Sequence, residues 1–157
     1  MTAAVVTVSD GVAAGVREDR SGRALVEALH DMGFAIVHRS VVPDEVDRIE
    51  AALRAVVPVA RLVVTTGGTG FGPRDVTPEA TRRVVEREAP GLFHLMLARG
   101  VESTPMAALT RGVVGTVGTT LVVNLPGSPR GATENLAALA PVLDHVLDLL
   151  AGHTEHR

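Results

Sequence analysis

Three short β-branched runs in this chain end in tight loops of small residues, and helical periods separate them. They read Val5-Val6-Thr7-Val8-Ser9-Asp10-Gly11, then Val63-Val64-Thr65-Thr66-Gly67-Gly68-Thr69-Gly70, then Val122-Val123-Asn124-Leu125-Pro126-Gly127-Ser128. Short apolar runs bounded by turn residues read as strands buried on both faces. Such strands need helices above and below. Leu25, Val26, Leu29 and Met32 recur at helical spacing between Ser21, read as a cap, and Gly33. Val46, Ile49, Leu53 and Val56 repeat that spacing in a helix expected over 45–56. Strand, helix and strand in alternation predict an α/β fold: a single-domain three-layer sandwich, its sheet mostly parallel, with helices on both faces.

The remaining expectations complete that frame. Strands are expected over 3–8, 34–42 and 62–66, and a hairpin over 113–117 and 119–125 turns at Gly118. Thr77 followed by Pro78 reads as the cap and first turn of a helix running to about residue 88. A second proline-led helix covers 90–99, and a helical turn covers 104–109. A long helix over 133–150 contains Pro141, which is expected to kink or split it. Residues 1–152 form the domain, and 153–157 read as a flexible polar end.

Composition excludes several chemistries. The 157 residues contain no Cys, and all 15 basic residues are Arg. Thiolate nucleophiles, Cys-held zinc, a phosphate-loop lysine and Schiff bases are therefore ruled out. A net charge of −3 and 2% aromatic residues make a poor nucleic-acid surface. No apolar run is long enough for a membrane span, and the first residues lack a basic leader, so the cytoplasm is the expected compartment. The six His show no ligand spacing, and Ser9, Ser21 and Ser128 lack a nucleophile-elbow context.

In an open parallel sheet, ligands bind at the carboxyl ends of the strands, where these three loops should gather. The stretch Gly67-Gly68-Thr69-Gly70-Phe71-Gly72 holds the densest glycines. Without Cβ atoms its backbone N–H groups can converge on a phosphate, and Thr69 adds a hydroxyl. Arg74 follows, a forked cation suited to phosphate oxygens. The missing lysine excludes a Walker A loop, and no three glycines here have the spacing of a dinucleotide fingerprint. Asp75 lies beyond Arg74, and Asp44 should end the second strand at the same edge. Two carboxylates beside a polyphosphate suit Mg²⁺. Asp44 also fits a turn or a helix cap before Glu45, Asp10 a turn residue, and Asp75 a loop aspartate bonded to its own backbone.

The combined strings Thr65-Thr66-Gly67-Gly68-Thr69-Gly70 and Pro73-Arg74-Asp75-Val76-Thr77-Pro78-Glu79-Ala80-Thr81 resemble the MogA/MoaB family of molybdopterin adenylyltransferases, which includes the G domains of gephyrin and its plant counterpart. Val8-Ser9-Asp10, Asp19-Arg20-Ser21-Gly22, Val42-Pro43-Asp44-Glu45, Pro90-Gly91 and Asn124-Leu125-Pro126-Gly127-Ser128-Pro129 extend the resemblance over nearly the whole chain. It implies joining of molybdopterin to ATP with Mg²⁺, giving adenylated molybdopterin and pyrophosphate. It also implies a homotrimer and a separate MoeA-like insertase downstream. Asp44 and Asp75 match the family's functional, metal-holding aspartates. Ser9, Asp10, Gly67, Gly68, Thr69, Gly70, Arg74, Pro126, Gly127 and Ser128 match its nucleotide and substrate loops. The pterin is expected at Leu109-Thr110-Arg111, where many relatives carry Ser in place of Thr110. Alternatives are an insertase- or CinA-like domain, a plain nucleotide-binding regulator, and an inactive molybdopterin carrier.

Overall fold

In the computed structural model, which describes residues 1–154, two periods of side chains build three layers. The order is β1 (Thr2–Val8), α1 (Asp10–Ala13), α2 (Arg20–Asp31), β2 (Ala35–Val42), α3 (Val46–Val56), β3 (Leu62–Thr66), α4 (Thr77–Arg82), β4 (Arg87–Glu88), α5 (Pro90–Ser103), a 3-10 turn (Pro105–Ala108), β5 (Val114–Val117), β6 (Thr120–Leu125) and α6 (Pro129–Leu150). All six strands share one sheet, ordered β2-β1-β3-β6-β5-β4. β2, β1, β3 and β6 are parallel, while β5 and β4 add an antiparallel edge.

Successive residues of the central strands face opposite cores. Val5, Val64 and Val123 pack with Leu25, Leu136, Leu139 and Leu143 from α2 and α6. Val6, Val63 and Val122 pack on the other face with Ile49, Leu53 and Ala80 from α3 and α4. The predicted sandwich is therefore present. β1 is followed by a neighbour on one side, β2, and then by a neighbour on the other, β3. That reversal opens a crevice at the carboxyl ends of β1 and β3.

Several local expectations are corrected. Helix α2 is capped by Asp19, not Ser21: the Asp19 carboxylate accepts from the Gly22 N–H (3.0 Å) and from Thr7 Oγ1 (3.0 Å). Thr77 does not cap α4, whose cap position is Val76. α4 stops at Arg82, and β4 stands where the helix was expected to continue. Backbone pairing wins there because Gly115 of β5 has no Cβ, which would lie 2.8 Å from the Arg87 carbonyl. α6 begins at Pro129 and is not split at Pro141. Pro141 and Ala137 both lie on its exposed side. The carbonyl that loses its partner therefore lies on the solvent side, while buried leucines hold the helix on the sheet. The polar end expected over 153–157 falls mostly outside the described residues, and His156 with it.

Candidate functional site

The loop after β1 meets the loop after β2 through a reciprocal pair of bonds. The Asp10 N–H donates to Asp44 Oδ2 (2.8 Å), and the Asp44 N–H donates to Asp10 Oδ1 (3.0 Å). Asp44 is thus neither a helix cap nor a turn closed on itself. Arg74 reaches across from the loop after β3 and grips Asp10 through Nε and Nη2, both at 3.1 Å. This fork holds the Asp10 carboxyl below the usual carboxylate range, with the Asp44 N–H adding to the effect. Burial pushes the Asp44 carboxyl up, and repulsion from Asp10 and Asp75 adds to it against the favourable Asp10 N–H bond.

Gly67 and Gly68 adopt φ of 98° and 70°, a region disfavoured for other residues. A Cβ on Gly67 would lie 2.3 Å from the Val8 carbonyl. One on Gly68 would lie 2.3 Å from Thr77 Oγ1 and 3.1 Å from Asp44 Oδ1. A side chain at Gly68 would therefore crowd the protein's own Thr77 and Asp44.

A buried polar chain stiffens the loop from below. Thr77 Oγ1 donates to the Gly67 carbonyl (2.9 Å), and Thr81 Oγ1 donates to the Thr77 carbonyl (2.8 Å). Asn124 Nδ2 donates to Thr81 Oγ1 (2.9 Å) and Thr65 Oγ1 (3.0 Å), while its Oδ1 accepts from the Val113 N–H (3.0 Å). Asn124 stood in the third strand–loop run without an assigned role. Its signal was a polar residue inside a strand otherwise apolar on both faces.

Arg111 clamps the same loop from outside. Nε donates to the Gly70 carbonyl (2.7 Å), Nη2 to the Asp75 carbonyl (2.8 Å), and Nη1 pairs with Glu79. That pairing draws the Glu79 carboxyl below its ordinary range. Asp75 turns back on its own loop, its Oδ2 accepting from the Gly72 N–H (2.9 Å).

Two cavities flank this loop. The larger, about 680 Å³, is walled by Ser9, Asp44, Gly67 and the Arg17–Ser21 segment, among others. The smaller, about 430 Å³, is walled by Thr69, Gly70, Thr110, Pro126 and Ser128 together with Phe93, Met96, Leu97 and Leu109. Gly68, Asp75 and Gly127 belong to both walls. The structure therefore gathers most of the residues expected at the site. Three stand apart: Asp10, Arg74 and Arg111 line neither cavity and hold the loops to one another. Ser9 caps α1 by accepting from the Val12 N–H (3.2 Å), and Ser128 caps α6 by accepting from the Gly131 N–H (3.0 Å).

Among the described residues no three His, Asp or Glu side chains form a ready cation cage. Asp44 and Asp75 nevertheless fit a divalent ion shared with phosphate. Both line the larger cavity, and Asp44 is strained by burial and like charge that a cation would relieve. No described helix is long and apolar enough to cross a membrane.

A family profile described as a probable molybdopterin binding domain matches residues 4–145. The chain is 39% identical over 153 residues to the molybdopterin adenylyltransferase of Helicobacter pylori (strain J99), covering 95% of this chain and 87% of that protein. It is also 39% identical to the molybdenum cofactor synthesis protein cinnamon of Drosophila melanogaster, of which it spans only 26%. Among solved structures it resembles the molybdopterin biosynthesis enzyme MoaB of Thermus thermophilus, with a TM-score of 0.90, 47% identity and 96% of each chain covered.

Proposed function

We infer, from the premise that this chain belongs to the molybdopterin-binding domain family, that it is a molybdopterin adenylyltransferase acting in molybdenum cofactor biosynthesis. Its substrates are ATP and molybdopterin. A phosphate oxygen of molybdopterin attacks the α-phosphorus of ATP. The bond from that phosphorus to the bridging oxygen breaks, and pyrophosphate leaves with the electron pair. No protein nucleophile is needed, which suits a chain without Cys or Lys. The observation that carries this reading is the shared wall: two cavities of different character meet at Gly68, Asp75 and Gly127.

The larger, polar cavity takes the nucleotide and the smaller, apolar one takes the pterin. Thr69, Gly70 and Thr110 offer polar groups at the pterin side, while Phe93, Met96 and Leu97 cover its flat body. The Gly68 N–H and the start of α6 offer donors to the phosphates, while the Gly67 N–H is committed to the Leu125 carbonyl (3.2 Å). Asp44 and Asp75 would hold Mg²⁺, which supplies charge neutralisation between two anions when bound. Asp10, Arg74 and Arg111 act at one remove by fixing the loops that carry these groups. The protein works in the cytoplasm as a homotrimer, and a separate MoeA-like insertase consumes its product.

The test is pyrophosphate release from ATP and Mg²⁺, with and without molybdopterin, in the wild type and in Asp75→Asn. Release that requires molybdopterin and fades in the variant supports the reading. No release from a wild type that still binds molybdopterin assigns the chain to a carrier role instead.

A further inference from the structure

We propose that Arg17 binds the β- and γ-phosphates of the nucleotide and then the departing pyrophosphate, an inference that rests on the adenylylation reading above. The larger cavity is lined by four acidic side chains, Glu18, Asp19, Asp44 and Asp75, and by two basic ones, Arg17 and Arg20. A polyanion entering so acidic a site needs a protein cation besides any metal that Asp44 and Asp75 hold.

The two arginines that the sequence made prominent do not supply it. Arg74 is engaged by both oxygens of Asp10, and Arg111 by two carbonyls and Glu79. Arg20 lies 3.6 Å from Glu18, an exposed pair. Arg17 alone of the cavity's two arginines has neither an ion pair nor a side-chain hydrogen bond among the described residues.

Its stem, by contrast, is placed. The Arg17 N–H donates to the Gly11 carbonyl at 3.2 Å. A Cβ on Gly11 would lie 3.1 Å from Arg17 Cδ and 3.4 Å from Cγ, so the absent side chain leaves room for the methylenes to fold over α1. A supported stem with an uncommitted guanidinium suits a mobile anionic tail, which the planar fork can grip through two oxygens. Asp75 and Gly68, on the shared wall, mark where the α-phosphate meets the pterin. The Arg17–Ser21 segment forms part of the wall on the nucleotide side alone, as a triphosphate tail requires.

The experiment is titration calorimetry in Mg²⁺ buffer with an α,β-methylene ATP analogue, AMP and pyrophosphate, on the wild type, Arg17→Met and Arg17→Lys. The exposed position lets all three proteins fold. Arg17→Met should weaken the analogue and pyrophosphate about tenfold while leaving AMP unchanged, and Arg17→Lys should recover part of the loss, since it keeps the charge without the fork. Equal affinity of the analogue for wild type and Arg17→Met, or an equal loss for AMP, overturns the role of Arg17 while leaving the adenylyltransferase standing. A wild type that binds neither the analogue nor pyrophosphate overturns both.

Discussion

The two cavities share three residues and little else. On one side of Gly68, Asp75 and Gly127 the wall carries carboxylates, arginines and hydroxyls. On the other it carries Phe93, Met96, Leu97, Met106 and Leu109, with a few polar groups among them. The difference follows from the fold. The first wall is made by loops at the switch point between β1 and β3, where backbone ends and caps gather. The second is made by α5 and the segment after it, whose apolar side chains leave the core and run out into solvent. Group transfer between two substrates can be confined to the residues common to both walls, while each wall selects its own substrate.

Asp75→Asn should break that arrangement most severely. Asn keeps an oxygen to accept the Gly72 N–H, so the loop survives while the charge goes. Molybdopterin-dependent turnover should fall by about 10²-fold or more, with the melting temperature nearly unchanged. A loss seen only in the KM for one substrate would move Asp75 off the shared wall and into a single cavity. Asn124→Ala comes next: Asn124 lines the smaller cavity and braces, through Thr81 and Thr77, the glycine loop that also walls the larger one. The substitution leaves the Val113 N–H without its acceptor and takes from the Thr65 and Thr81 hydroxyls the donor they accept from, in a fully packed region. The expected cost is about 2–3 kcal/mol, a drop of roughly 5–10 °C in melting temperature by calorimetry. An unchanged melting temperature would show that the glycine loop does not depend on this network.

The two walls also differ in how far the residues alone revealed them. The switch in strand order is set by long-range pairing, whereas parallel strands and the glycine loop follow from runs such as Val63 to Gly70, because period and turn chemistry are local. Asp44 and Asp75 could be placed at one edge for the same reason. The partners of Arg74 and Arg111 could not, because Asp10 lies 64 positions from Arg74 and Gly70 lies 41 from Arg111. A guanidinium beside a glycine loop reads as a phosphate ligand whether its fork faces a ligand or a neighbouring carboxylate. Ser21 likewise looked like a cap because it has the right chemistry, yet Asp19, two residues earlier, reaches both Gly22 and Thr7. The end of α4 was lost to long-range pairing of Arg87 with Thr116.

Leu109→Asn tests the apolar wall alone. Leu109 is 53% exposed and lines only the smaller cavity, so the fold should tolerate the change. The KM for molybdopterin should rise about fivefold, consistent with losing part of one buried leucine contact, while the KM for ATP stays constant. An equal rise for ATP would mean that the two walls do not sort the substrates.

The smallest expected effect lies in the polar wall and has the opposite sign for stability and for function. Burial raises the Asp44 carboxyl above its unfolded value of 3.8 in the folded protein, so the fold disfavours its charge. Between the unfolded and the raised folded value the native state binds more protons than the unfolded one, and stability falls as pH rises through that window. At neutral pH the ionised Asp44 is therefore a net liability to the metal-free protein. Asp44→Asn keeps an acceptor for the Asp10 N–H and removes the repulsion from Asp10 and Asp75. Its melting temperature at pH 7 should rise by about 1–2 °C, and the difference from wild type should vanish under acid, where Asp44 is protonated in both states. Adding Mg²⁺ with the α,β-methylene ATP analogue should then stabilise the wild type more than the variant, because only the wild type offers a second carboxylate to the ion. A variant less stable than wild type at pH 7 would show that the reciprocal bonds to Asp10 outweigh the buried charge. The polar wall would then be a structural tie, not a site held under strain for a cation.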